Sequence, residues 1–159
     1  NKTERNEDVN FFTTFNRTDT ALRVQDILTG LAYLQNTVEN NPDCSINLVG
    51  LGDAGLWCLL ARGIATGLNK TVVDVSNFDA DDDEQWIEKL HIPDIRRVGG
   101  LNTAMTLAVP NFLFIHSTGE NFQTDWVEEV YSSVGAEESL RIKVQKASDS
   151  EIVEWLNDC

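Results

Sequence analysis

The residues best suited to chemistry lie in one short run, Gly50-Leu51-Gly52-Asp53-Ala54-Gly55. It follows the β-branched segment Ser45-Ile46-Asn47-Leu48-Val49 and precedes a nearly all-apolar stretch from Leu56 to about Thr66. A strand, a glycine turn and a buried helix are expected in that order. Glycine lets such a turn reverse without Cβ clashes. The start of the helix leaves backbone N–H groups unpaired and aimed above the sheet. Two chemistries fit. The G-x-G-x-x-G spacing suits a phosphate-binding turn. Against it, Asp53 would set a carboxylate beside the phosphate, and only Asp74 or Asp79 stands near the end of the next strand as a ribose-binding acid. The other chemistry is a nucleophile at the apex of a strained strand-to-helix turn, as in G-x-S-x-G.

Metal chemistry has one weak candidate. Asn77, Asp79, Asp81, Asp83 and Glu88 fall at positions 1, 3, 5, 7 and 12 of an EF-hand-like Ca²⁺ loop. Asp82 stands where the sharp turn wants Gly, and Val72–Val75 reads as a strand rather than an entering helix. The leading expectation is that the run from Asp79 to Glu84 is a solvated loop and that the chain carries no metal or cofactor. Only two histidines exist, His91 and His116, read as a surface residue and a core residue. Trp57, Trp86, Trp126 and Trp155 all fall in predicted helices, where core packing is their expected role. Cys58 sits in an apolar run and reads as a buried thiol. Cys44 and Cys159 are left free to pair or to stay reduced, so the redox compartment is open.

Composition bounds the answer. The chain has 159 residues, 42% hydrophobic and 24% charged, which suits one globular domain. Its 26 acidic and 12 basic residues leave a net charge of −14. Phosphate backbones repel such a surface, so nucleic acid is a poor partner, and an anionic membrane surface is disfavoured alike. No stretch approaches the roughly 20 apolar residues of a membrane span. The first residue is Asn1 rather than Met, and a processed or excised chain is expected. Asn-x-Thr sequons begin at Asn1, Asn16 and Asn69.

The elements that must position these residues follow from patterning. Residues 1–15 read as an irregular lead-in with an aromatic patch, Phe11, Phe12 and Phe15. Residues 16–159 read as the domain. Thr18 or Asp19 caps a helix whose apolar face (Leu22, Val24, Ile27, Leu28, Leu31, Leu34) runs to about Val38. Asn40-Asn41-Pro42-Asp43 is a turn. Strands are predicted at about 46–49, 71–75, 111–116 and 140–144. Helices are predicted over Glu84–Leu90 and Leu101–Ala108, from a Thr124 cap to Val134, and over Asp149–Leu156 with a capping box of Ser148 and Glu151. Strands alternating with helices imply parallel pairing in sequence order with right-handed crossovers. Continuous apolar strands imply a sheet covered on both faces. The fold class is therefore α/β, a three-layer α/β/α sandwich on a mainly parallel sheet of about four strands.

Three segments in this order resemble the C-terminal half of an α/β-hydrolase superfamily domain, nearest the dienelactone-hydrolase and acetyl-xylan-esterase branch. The stretch from Asn16-Arg17-Thr18-Asp19 through Arg23-Val24-Gln25-Asp26-Ile27 looks like the helix before the elbow strand. Ile46-Asn47-Leu48-Val49-Gly50 looks like the elbow strand. Leu107-Ala108-Val109-Pro110-Asn111-Phe112-Leu113-Phe114-Ile115-His116 looks like the segment entering the strand that ends at the acid. With Gly50 as first glycine of the elbow, the nucleophile falls on Gly52, which has no side chain to attack with. A shift by one residue offers Asp53 instead, but sets Leu51 where the elbow needs a small residue. The family's acid falls on or near Glu120. Its histidine would follow Leu140–Val144, yet Gln145–Glu151 contains none. The resemblance thus implies a hydrolase relative that has lost activity and binds or scaffolds, in a secreted or envelope protein. An active esterase using Asp53, Glu120 or groups supplied from elsewhere is one alternative. A flavodoxin-like phosphate-binding module using Gly50, Gly52, Asp53 and Gly55 is the other. In that family the elbow strand is central. The Ile46–Val49 edge is therefore expected to be occupied by the missing N-terminal half of the fold, by another chain, or by self-association.

Overall fold

The computed structural model describes residues 16–39, 41 and 44–158. The lead-in 1–15 with its phenylalanines, most of the turn at 40–43, and Cys159 lie outside the described residues.

The chain opens with helix α1, Asp19–Val38, capped by Thr18, whose Oγ1 accepts the Ala21 N–H at 3.2 Å. Strand β1 is Leu48–Gly50 and helix α2 is Ala54–Arg62. Strand β2, Lys70–Asp74, leads to α3, Asp83–Lys89. A 3-10 turn at Ile95–Val98 precedes α4, Gly100–Ala108. Then come β3 (Phe112–His116), α5 (Asp125–Ser133), β4 (Leu140–Lys143) and α6 (Asp149–Asn157). The four strands form one sheet in the order β1-β2-β3-β4, and every pair is parallel. The order and direction expected from the crossover rule hold.

Strand period 2 divides the side chains between two faces. On the first face stand the rows Leu48–Thr71–Leu113–Leu140 and Gly50–Val73–Ile115–Ile142. Buried Leu31, Leu59, Leu90, Met105 and Tyr131 join this face in one core, so α1 to α5 all lie on it. On the second face stand Lys70–Phe112, Val49–Val72–Phe114–Arg141 and Asp74–His116–Lys143. Only α6 among the described helices packs there, setting Ile152 with Val72, Phe114 and Ala147. The result is an α/β three-layer sandwich with one thick and one thin helical layer. The expected cover on both faces is complete only over β2 and most of β3. Val49 on β1 keeps 39% of its surface, and β4 is half-buried throughout.

Local chemistry moved several boundaries. β1 starts later than expected because the Asn47 side chain accepts the Lys70 N–H at 3.1 Å, in place of a backbone rung. α2 stops at Arg62 rather than near Thr66. At Gly63 a Cβ would stand 2.9 Å from the Ala104 Cα, so α4 crosses there too closely for any side chain. Thr124 holds the cap position of α5 without a cap bond; its hydroxyl donates to Glu128 at 2.8 Å. Ser148 does cap α6, accepting the Glu151 N–H at 3.3 Å. The other half of that capping box is absent, because the Glu151 carboxylate pairs with Arg141 and Lys143. Of the tryptophans, Trp86 is buried, Trp57 and Trp155 are partly buried, and Trp126 is half-exposed.

Candidate functional site

The glycine turn has the form that its sequence demands. Gly52 adopts φ +57°, the left-handed region that favours glycine. The turn closes through Ala54 N–H to Leu51 O at 3.3 Å and Gly55 N–H to Gly52 O at 2.9 Å. Gly50 and Gly55 serve packing. A Cβ on Gly55 would fall 1.8 Å from the Asp74 carbonyl oxygen, and one on Gly50 would meet Cys58 at 2.7 Å. Gly52 differs: nothing lies within 4 Å of where its Cβ would point. The apex of the turn is open but carries no side chain. Asp53 beside it is exposed, in helical conformation, and makes no side-chain cap bond.

The carboxyl ends of β2 and β3 hold a buried polar knot. Asp74 is 2% exposed and His116 is fully buried. The Asp74 carboxylate accepts from the Ser76 N–H at 2.8 Å and Ser76 Oγ at 3.2 Å, and its other oxygen faces the Gly52 N–H at 3.4 Å. His116 Nδ1 lies 3.1 Å from Ser117 Oγ and 4.0 Å from Asp74 Oδ1. Burial pushes Asp74 up, but hydrogen bonds from Ser117, Ser76 and Gly52, together with His116, outweigh it, and the carboxyl ends below its ordinary range. Burial pulls His116 below its ordinary value against the opposing pull of Asp74. Backbone strain gathers here too. Ser76, Asn77 and Ser117 have φ of 49°, 52° and 59°, which in a non-glycine residue costs roughly 1–2 kcal/mol.

Asp74, His116 and Ser117 are the residue types of a hydrolytic triad, but not its geometry. A working base presents one ring nitrogen to the nucleophile and the other to the carboxylate. Here both partners crowd Nδ1, while Nε2 is buried without a hydrogen-bond partner. Ser117 is itself 6% exposed, so no substrate carbonyl reaches it.

The remaining candidates do not converge. Glu120 is exposed in the loop after β3. His91 is exposed between α3 and the 3-10 turn. In the acidic loop, Asp79 accepts from the Asp81 N–H and from Asn121 Nδ2, both within 2.9 Å. Asp82 caps α3 through the Glu84 N–H, and Asp83 pairs with Arg96. The Asn77 backbone N–H donates to Ser117 O at 2.7 Å, tying the loops that follow β2 and β3. Among the described residues no three His, Cys, Asp or Glu side chains are placed to hold a metal ion. Asn77, Asp79, Asp81, Asp83 and Glu88 therefore do not form a cage. A cleft of about 270 Å³ opens nearby, lined in part by Trp86, Arg96, Gly100, Met105 and Phe122. It includes no residue of the glycine turn.

In the sequence Asp74 reads only as a possible ribose ligand and His116 only as a core residue, while Ser76 and Ser117 do not stand out. The signal was there: two apolar strands each end on a polar residue, Val72-Val73-Asp74 and Phe114-Ile115-His116. The pairing of Asp74 with His116 comes from the register. Cys58 is buried, and burial pushes its thiol up to about 11. No described helix is long and apolar enough to cross a membrane. Comparison with protein-family models, with curated proteins and with solved structures returned no match.

Proposed function

We propose that this chain is an α/β-hydrolase-type domain without hydrolytic activity, serving as a binding or scaffolding unit of a larger extracellular or envelope assembly. The observation that carries the reading is Gly52. It sits at the apex of a strand–turn–helix, at φ +57°, between the small residues Gly50 and Ala54, with open space where a nucleophile would stand. The missing base supports it. Of the two histidines, His91 is exposed outside this region and His116 is sealed into the knot with Asp74 and Ser117. The same reading includes a partner along β1. Among the described residues this strand pairs on one side only, with β2, and Val49 and Leu51 remain 39% and 47% exposed. Unpaired edge groups of this kind invite an added strand.

Two assays test the reading. Hydrolysis of small aryl esters by the chain, and by Gly52→Ser, is expected to match buffer, since a serine without a base is a poor nucleophile. Clear turnover by the unmodified chain, lost in Asp53→Asn, would restore the active-esterase alternative with Asp53 and Glu120. Light scattering tests the edge: a stable monomer with no partner bound along β1 counts against the partnered edge.

One observation favours the phosphate-binding module as a second reading. The contact between Gly55 and the Asp74 backbone is the close helix–strand packing that the third glycine of G-x-G-x-x-G provides. It ranks lower because the Gly52 N–H already faces the Asp74 carboxylate, which stands where a phosphate would seek donors. Saturable binding of a nucleotide or flavin, weakened by Gly52→Val, would reverse the ranking.

A further inference from the structure

The thin layer of the sandwich is one helix held by fasteners at both ends. At its N-terminal end Glu151 pairs with Arg141 and Lys143 of β4. At its C-terminal end Lys70 Nζ donates to the carbonyls of Trp155 and Asp158, and lies about 5.3 Å from the Trp155 ring centre. Between them the apolar seal is small: Val72, Phe114, Ala147 and Ile152, with Trp155 and Leu156 beside it. The fully buried His116 lies on the same face, its ring 5.7 Å from that of Phe114.

One side of its ring is met and the other is not. Nδ1 lies 3.1 Å from Ser117 Oγ, and Nε2 has no hydrogen-bond partner. The protonated ring carries an N–H at both nitrogens, so Nε2 would be a fully buried donor without an acceptor. Such a donor is costly to bury, and the one opposing carboxylate, Asp74, stands 4.0 Å away on the Nδ1 side. The charged groups that face this ring are Asp74 from β2, Lys143 from β4, Lys146 from the loop before α6, and Glu151 from α6. Glu151 is engaged by the two cations of β4, and Asp74 by Ser76 and the Gly52 N–H. The two lysines repel a new positive charge.

We propose that α6 is an acid-released latch: protonation of His116 lifts the helix from the sheet and uncovers Val72, Phe114 and Trp155. The sign follows from linkage. His116 is held below its ordinary 6.5 when α6 is closed and returns toward it when the helix opens. Closure is therefore fully favoured above about pH 6.5 and weakens as pH falls below it. Glu151 and Asp74 are both held below their ordinary carboxylate values, 4.5 and 3.8. They stay charged over that window, so within this cluster His116 alone titrates.

Amide hydrogen exchange between about pH 7 and pH 5, corrected for intrinsic rates, tests this. Protection of the Ile152–Leu156 amides is expected to fall by up to about tenfold per pH unit, the limit for one proton. Amides of Val73 and Leu113 should hold theirs. In His116→Phe and His116→Asn, neither of which protonates, α6 protection should be flat. Should both variants fail to fold, proton NMR of a His91→Gln chain reads His116 directly, and it should titrate below 6.5. Flat α6 protection in the unmodified chain, an equal fall in the variants, or a His116 that titrates at or above 6.5 would each overturn the latch.

Discussion

The two faces of this sheet are made by the same four strands yet are built on different principles. The first is apolar but for Thr71, and five helices share its core. The second has an apolar centre, Val72 and Phe114, bordered by Lys70 at one end and by Asp74, His116 and Lys143 at the other. One helix covers it. A face sealed by many apolar contacts has no single point of failure. A face sealed by one helix over buried titratable groups depends on the state of those groups. Stability and responsiveness are thereby separated between the two sides of one sheet.

The strongest way to break this comparison is to empty the second face. Phe114→Ala removes a fully buried aromatic ring that packs with α6, and should cost about 3–5 kcal/mol in denaturant-induced unfolding. Hydrogen exchange should show α6 loosened before the rest. A loss below about 1 kcal/mol would mean that the thin layer contributes little to the fold. The first face is probed next. Gly55→Ala forces a methyl group onto the Asp74 carbonyl, where α2 and β2 touch. Overpacking of that kind costs about 1–3 kcal/mol, and thermal unfolding measures it. Wild-type stability in this variant would show that α2 can slide, against the picture of a rigid thick layer. The smallest effects compare the caps on opposite faces. Ser148→Ala should cost about 1 kcal/mol, because its hydroxyl accepts the Glu151 N–H. Thr124→Ala on α5 should cost only about 0.5 kcal/mol or less, because its side chain makes no cap bond. Equal losses would erase that distinction.

Much of this architecture is legible in the chain alone. Thr18 before an apolar helical face, Ser148 before another, and the β-branched and aromatic runs at 71–75 and 111–116 each carry a local signal, because hydrogen bonding and side-chain period act over a few residues. Parallel order follows from a helix between every pair of strands. The glycine turn is equally local: Gly52 needs φ above zero, and that need is written in its type. The site is less legible, because its partners are distant in sequence. Nothing in Glu151 itself tells that its carboxylate leaves the capping box for Arg141 and Lys143. Thr124 looks like a cap and turns to Glu128 instead.

The division between the faces lies on the far side of that line. Thr71-Val72-Val73-Asp74-Val75 reads as one buried strand, and burial bears this out for all five residues. Which of them meets five helices and which meets one depends on where the last helix turns after β4. Asp74, His116 and Lys143 stand side by side only because β2, β3 and β4 share a register. Gly55 is a glycine for the sake of a carbonyl 19 positions away in the chain. Local sequence sets what each segment can be, since propensity and capping involve near neighbours. Juxtaposition of distant polar groups is decided when the sheet closes, since only then does burial make the charge on one imidazole matter.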